Sequence, residues 1–221
     1  MHKVSAYVNI CRQYVTQMGF RMRDPKTANI LEVFKKVGIV RPVDLTKNGV
    51  RREHIYRLHK RGLVERIGRG LYVLRKAKIT ENHSFAEACK KVPRGVICLL
   101  SALRLHGLTT QNPFEVWMAI DRKARLPKSD SPKLRLVRYS GDALTAGVEV
   151  RRIEQVPVRV YGVAKTVVDC FKYRNKIGLD VALEALRECR RRRAASMDEL
   201  WRYAKICRVA NVMRPYLESV A

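Results

Sequence analysis

The stretch from Arg51 to Gly70 leaves this chain few alternatives. Ile55 and Leu58 stand three apart among charged residues, the spacing of one buried helical face, and the pattern stops at Gly62, a residue type that commonly ends helices. Leu63-Val64-Glu65-Arg66-Ile67 and Leu71-Tyr72-Val73-Leu74 then read as strands on either side of Gly68-Arg69-Gly70. A β-hairpin is therefore predicted, with glycines where its tip needs positive φ. Upstream, Asn48-Gly49 supplies a tight turn between the helix from about Arg51 to Arg61 and a shorter one from Pro42 to about Lys47. Asp24-Pro25 marks an earlier start, with Asp as N-cap and Pro at the first helical position. Its apolar stripe, Ile30, Leu31, Phe34 and Val37, ends at Gly38. Helices joined by a glycine turn and followed by a hairpin have the order of a winged helix-turn-helix, predicted over residues 24–76.

Charge says what such a unit would meet. Lys and Arg number 46 against 20 Asp and Glu, a formal charge of +26, far beyond what solubility needs, so a polyanion is the natural partner. Residues 1–75 hold 17 Lys/Arg and 5 Asp/Glu, a density of positive charge nearly twice that of the remainder. No apolar run approaches a membrane span, and Met1 to Phe20 is interrupted by Lys3, Asn9, Arg12 and Gln13, which argues against a signal peptide. A cytoplasmic protein that binds nucleic acid and avoids membranes is expected.

With Ile55 and Leu58 inward, 100° per residue puts Glu53, Tyr56, Arg57 and Lys60 on the opposite side and Arg52 at its edge. Recognition helices read bases mainly from their N-terminal residues. Arg52 and Tyr56 are therefore assigned to base edges, and Arg51, Arg57, Lys60 and Arg61 to phosphates. Arg66 and Arg69 make the hairpin a second basic element.

Arg75 to Asn82 breaks the apolar pattern and reads as a linker, and residues 1–23 read as a helical extension with Val4, Val8 and Cys11 at helical spacing. Residues 83–221 are predicted to be α+β. Helices are expected near Ser84–Val92 and Val96–Leu105, and strands over Phe114–Ile120, Leu134–Tyr139, Val148–Ile153 and Val156–Tyr161, forming a small mainly antiparallel sheet. Three helices, near Thr166–Tyr173, Val181–Arg190 and after a Ser196/Glu199 capping box, close the chain as a bundle. Arg187 and the run Arg190-Arg191-Arg192-Arg193 form a C-terminal basic patch, read either as a docking point for nucleic acid or an acidic partner, or as a solvated helix end.

The six cysteines lack metal-ligand spacing and read as buried thiols; the five histidines do not cluster. No phosphate loop, HExxH or nuclease-type carboxylate pattern is present, so no enzyme, metal or cofactor is predicted. Ser101 and His106, close to Asp121 in sequence, are assigned structural roles. Asp169, polar on an apolar helix, is read as one half of a buried ion pair with a Lys or Arg. A nuclease using Asp169, or an RNA-binding module, stays open as an alternative.

The segments Gly49–Leu58 (GVRREHIYRL) and Leu63–Tyr72 (LVERIGRGLY), with Leu100–Leu108, Glu115–Ile120, Ala164–Phe171, Gly178–Arg187 and Met213–Leu217, give the chain a resemblance to the AbiEi antitoxins of type IV toxin–antitoxin (abortive infection) systems. The resemblance spans about Ala28 to Val220. It implies a first domain that binds inverted repeats in its own promoter and represses it. It also implies a second domain that counters a nucleotidyltransferase toxin of the AbiEii type without a stable complex.

Overall fold

The computed structural model describes residues 25–126 and 131–220. The chain divides into two compact units between Ala77 and Lys78. The expected N-terminal extension, and the Asp24 cap with it, lie outside the described residues.

The first unit runs α1 (Pro25–Val37), α2 (Pro42–Lys47), α3 (Glu53–Lys60), β1 (Val64–Gly68), β2 (Leu71–Leu74). Ile30 and Phe34 of α1, Leu45 of α2, Ile55 and Leu58 of α3, Val64 and Tyr72 close on one another as a single core. Such side chains contribute roughly 1.5–3 kcal/mol each when fully removed from water. Gly49 stands at φ +72°, with open space where a Cβ would point. Backbone conformation alone selects glycine there. Helix α3 starts two residues later than its pattern suggests. The amides of His54 and Ile55 bond to the carbonyls of Arg51 and Arg52 at 3.2 and 3.1 Å, a three-residue reach, so Arg51 and Arg52 form a tight entry turn rather than helix proper. Val40, in the α1–α2 connection, exchanges two backbone bonds with Tyr72 of β2 (2.8 and 3.0 Å). This non-local pairing ties the hairpin to the helices, and local periodicity gives no sign of it.

The second unit contains α4 (His83–Lys91), β3 (Val96–Ile97), α5 (Leu99–His106), β4 (Val116–Asp121), β5 (Leu134–Tyr139), α6 (Asp142–Thr145), β6 (Val148–Ile153) and β7 (Val156–Tyr161). It ends with α7 (Val163–Lys172), α8 (Arg174–Ile177), α9 (Leu179–Arg191), α10 (Met197–Ile206) and α11 (Ala210–Glu218). The α+β expectation holds, with three corrections. Val96-Ile97, read as the start of a helix, is the central strand of a five-stranded sheet ordered β5-β4-β3-β7-β6. Two residues are too few for alternation to show in the sequence. The sheet is not mainly antiparallel: β3–β4 and β6–β7 are antiparallel, whereas β3–β7 and β4–β5 are parallel. The β4–β5 crossover carries no helix over its described residues, so nothing in its composition signals a parallel return. Helix α11 is additional, as are the single turns α6 and α8; Pro215 inside α11 imitates a helix stop.

Helix α7 is the hub of this unit. Ala164 through Phe171 are all buried, and α5, α9 and α10 pack against it. Trp117, Ala119, Val137, Tyr139 and Tyr161 of the sheet complete that core, while α4 packs against β3, β4, β6 and β7. The predicted capping box opens α10: Ser196 Oγ accepts from Glu199 N at 3.2 Å, and Glu199 Oε2 accepts from Ser196 N at 2.9 Å.

Candidate nucleic-acid interface

Helix α3 presents two chemically opposite faces. Ile55 and Leu58 are 0% and 2% exposed, while Arg51, Arg52, Glu53, Tyr56, Arg57, Lys60 and Arg61 are exposed. Tyr56, at 61% exposure, stands clear of the core with its ring available. Arg57 and Lys60 lie in the last turn, where the helix dipole favours cations. Gly62 (φ +68°) closes the helix: its amide bonds to His59 O at 2.9 Å, and Leu63 N to Leu58 O at 3.0 Å. These two bonds reverse the chain directly into β1.

The hairpin pairs Val64 with Leu74, Glu65 with Val73, Arg66 with Tyr72 and Gly68 with Leu71, with Ile67 as an extra residue. That bulge leaves Arg69 and Gly70 (φ +70°) as the tip. Arg69 is exposed, and Arg66 donates from Nε to Gly68 O at 3.2 Å, holding its guanidinium beside the tip backbone. Arg51, Arg52, Arg57, Lys60, Arg61, Arg66 and Arg69 form no ion pair among the described residues. Exposed cations without carboxylate partners stay available to an external anion. The residues expected on this face are exposed together, whereas the entry turn at Arg51 and Arg52, the Ile67 bulge and the Val40 pairing that fixes the hairpin leave no sign in the local pattern.

The C-terminal arginines are differently disposed. Arg191 grips Glu188 with two bonds (2.8 and 2.6 Å), Arg192 bonds the same carboxylate, and Arg190 donates to Val220 O at 3.1 Å. The Arg191 hydrogen bonds, more than any other influence, hold the Glu188 carboxyl down at about 2. Arg193 occupies the left-handed residue beyond α9 (φ +51°), as Arg208 does beyond α10 (φ +58°), positions where glycine is usual. Arg187 and Arg193 are exposed and unpaired among the described residues.

The residues considered for chemistry are structural. Ser101 Oγ accepts the Trp117 amide at 2.9 Å in a buried site. Asp169 is sealed at 0% exposure with Lys165 Nζ 2.5 Å away, so the nuclease alternative has no solvent-reachable carboxylate there. Cys207 donates to Asp169 Oδ1 at 3.4 Å. Burial and then the neighbouring Asp169 charge push that thiol up to about 12, which keeps it protonated. Cys89, Cys98, Cys170 and Cys189 are likewise buried free thiols. Among the described residues, no three His, Cys, Asp or Glu side chains gather closely enough to hold a metal ion, and no helix is long and apolar enough to cross a membrane.

His106 yields a pH prediction. Its Nε2 lies 2.7 Å from Tyr161 O, which can only accept, and its Nδ1 2.8 Å from an Arg151 nitrogen, which can only donate. The ring is therefore the neutral Nε2–H form. Burial lowers its pKa below 6.5, with the Arg151 charge adding to that against the Tyr161 carbonyl and Glu149. The unfolded chain takes up a proton more readily, so this contribution to stability is complete above pH 6.5 and is lost as pH falls through the folded-state value. Urea unfolding at pH 7.5 and 5.5 should show a larger acid-side loss in the native chain than in His106→Gln. Identical losses would remove His106 as a contributor.

Residues 29–75, which carry this face, match a family described as transcriptional regulator, AbiEi antitoxin. The fold is similar to the crystal structure of the RV2827C protein from Mycobacterium tuberculosis, with a TM-score of 0.56 at 15% sequence identity, over 84% of this chain and 73% of that one. At that identity the likeness is one of fold alone. No curated protein matches the sequence.

Proposed function

We propose, taking the family match over the basic face as premise, that this chain is a DNA-binding transcriptional autorepressor and the antitoxin of a type IV toxin–antitoxin system. The observation that carries the DNA-binding part is the unpaired cationic surface formed by α3 and the Arg69 tip on one small unit. Residues 24–76 then act as a winged helix-turn-helix, with α3 in a major groove about 12 Å wide. Arg52, in the entry turn, and Tyr56 reach base edges. Arg51, Arg57, Lys60, Arg61, Arg66 and Arg69 take phosphates on either side. The DNA is the inverted repeats of its own promoter. Residues 83–221 carry the antitoxin activity toward a nucleotidyltransferase toxin without a stable complex, and Arg187 and Arg193 are their members free to meet an acidic partner. No cofactor enters this scheme.

The test is binding of the purified chain to a duplex covering the sequence upstream of its own gene. Arg52→Ala should weaken that complex by about 1–3 kcal/mol and reduce discrimination against a scrambled duplex, the signature of a lost base contact. Equal affinity and equal discrimination in both proteins would sink the assignment.

A further inference from the structure

We propose that the groove beside Phe114 binds a single-stranded nucleic acid, with an unpaired base stacked on the Phe114 ring and adjoining phosphates held by Lys133 and Arg135. Phe114 is 83% exposed, more than any other large hydrophobic side chain among the described residues. It edges a groove of about 210 Å³ lined also by Leu100, Gln111, Asn112, Pro113, Glu115 and the edge of the nearly buried Trp117. That space suits one planar ring and is too small for a helix or a strand.

Cations flank both aromatic rings. Lys133 Nζ stands 5.9 Å from the centroid of Phe114, and the Arg135 guanidinium 5.5 Å from that of Trp117. Their positions are fixed by the sheet: Val116 pairs with Leu134 in parallel register, and Val116 N donates to Lys133 O at 2.8 Å. Trp117 is anchored from behind, its amide bonded to the buried Ser101 hydroxyl at 2.9 Å. Arg135, 57% exposed, approaches Glu115 only to 3.9 Å, a distance that leaves most of its donors uncommitted. The platform is thus built before any ligand arrives, with a cation over the Phe114 ring and most of that residue's surface exposed.

Alternation of aromatic rings and cations along a groove is how unpaired nucleotides are held without sequence reading, the ring taking the base and the cation the phosphate. A duplex keeps its bases stacked inside the helix, so it can offer phosphates to Lys133 and Arg135 but no base to the Phe114 ring. The charge of +26 draws either polyanion in. The exposed ring selects the single strand.

The experiment measures binding of the full chain to dye-labelled oligouridylate, to oligodeoxythymidylate and to a short duplex at moderate salt. Phe114 is exposed, so its replacement leaves the core intact. Phe114→Ala should weaken single-strand binding roughly 5- to 100-fold, the equivalent of one lost stacking contact. It should leave duplex binding unchanged, while Phe114→Trp retains the single strand. Whichever oligonucleotide loses more identifies RNA or DNA as the natural source. Unchanged single-strand affinity in Phe114→Ala, or equal loss for single strand and duplex, would overturn the proposal. Arg52→Ala, measured alongside, lowers duplex binding and spares the Phe114-dependent difference, so this inference and the promoter reading fail separately.

Discussion

Asp169→Ala destabilises the second unit by about 3–5 kcal/mol, the usual cost of stranding one member of a buried ion pair. Lys165 and Asp169 are both 0% exposed, one helical turn apart on α7, with Nζ 2.5 Å from Oδ2. The ammonium also lies 4.1 Å from the Tyr161 ring centroid and 5.0 Å from that of Tyr139. Removing the carboxylate leaves that charge in an apolar core with only the two rings to face it, and Cys207 loses its acceptor. Lys165→Met strands the opposite charge and is destabilising for the same reason. Combining Lys165→Met with Asp169→Leu removes both charges and fills much of their volume, and it should recover most of the loss, since a well-packed apolar pair often matches a buried ionic one. Urea unfolding of the native chain, Lys165→Met, Asp169→Leu and the double variant forms a double-mutant cycle whose coupling term measures the pair. A loss under about 1 kcal/mol in Asp169→Ala would mean that water reaches the site.

That pair was legible in the sequence as a type of contact, because a lone Asp on an apolar helix requires a partner, and its i, i+4 neighbour is a lysine. The α3 face was legible for a similar reason: Ile55, Leu58 and Gly62 state locally which side is buried and where the helix stops. Harder to read were features that depend on partners distant in sequence. Val96-Ile97 becomes a strand because β4 and β7 lie on either side of it, and within VICLL nothing distinguishes it from a helix start. The direction of β5 depends on where the crossover returns. Positive φ at Arg193 and Arg208 follows from how α9 and α10 end, in positions where arginine is a poor indicator. The Phe114 groove was invisible because exposure of an apolar ring is a tertiary fact.

Neutralising Arg57, Lys60 and Arg69 together to Gln should weaken promoter binding on the order of 100- to 1,000-fold near 0.1 M salt, because each phosphate contact releases counterions and contributes about 0.9 to the slope of log affinity against log salt. The slope should accordingly fall by about 2.7, a change that folding defects do not mimic. All three side chains are exposed and unpaired among the described residues, so their loss leaves the Ile55–Leu58 core untouched. Arg52→Ala behaves differently under the same titration. A base contact in the groove lowers affinity for the promoter at every salt concentration and reduces its margin over a scrambled duplex. The triple variant instead weakens both duplexes alike. The division between base readers and phosphate clamps is therefore measurable as two independent quantities, a ratio and a slope. An unaltered slope in the triple variant would remove the hairpin tip and the last turn of α3 from the interface and leave Arg51, Arg61 and Arg66 as its remaining clamps.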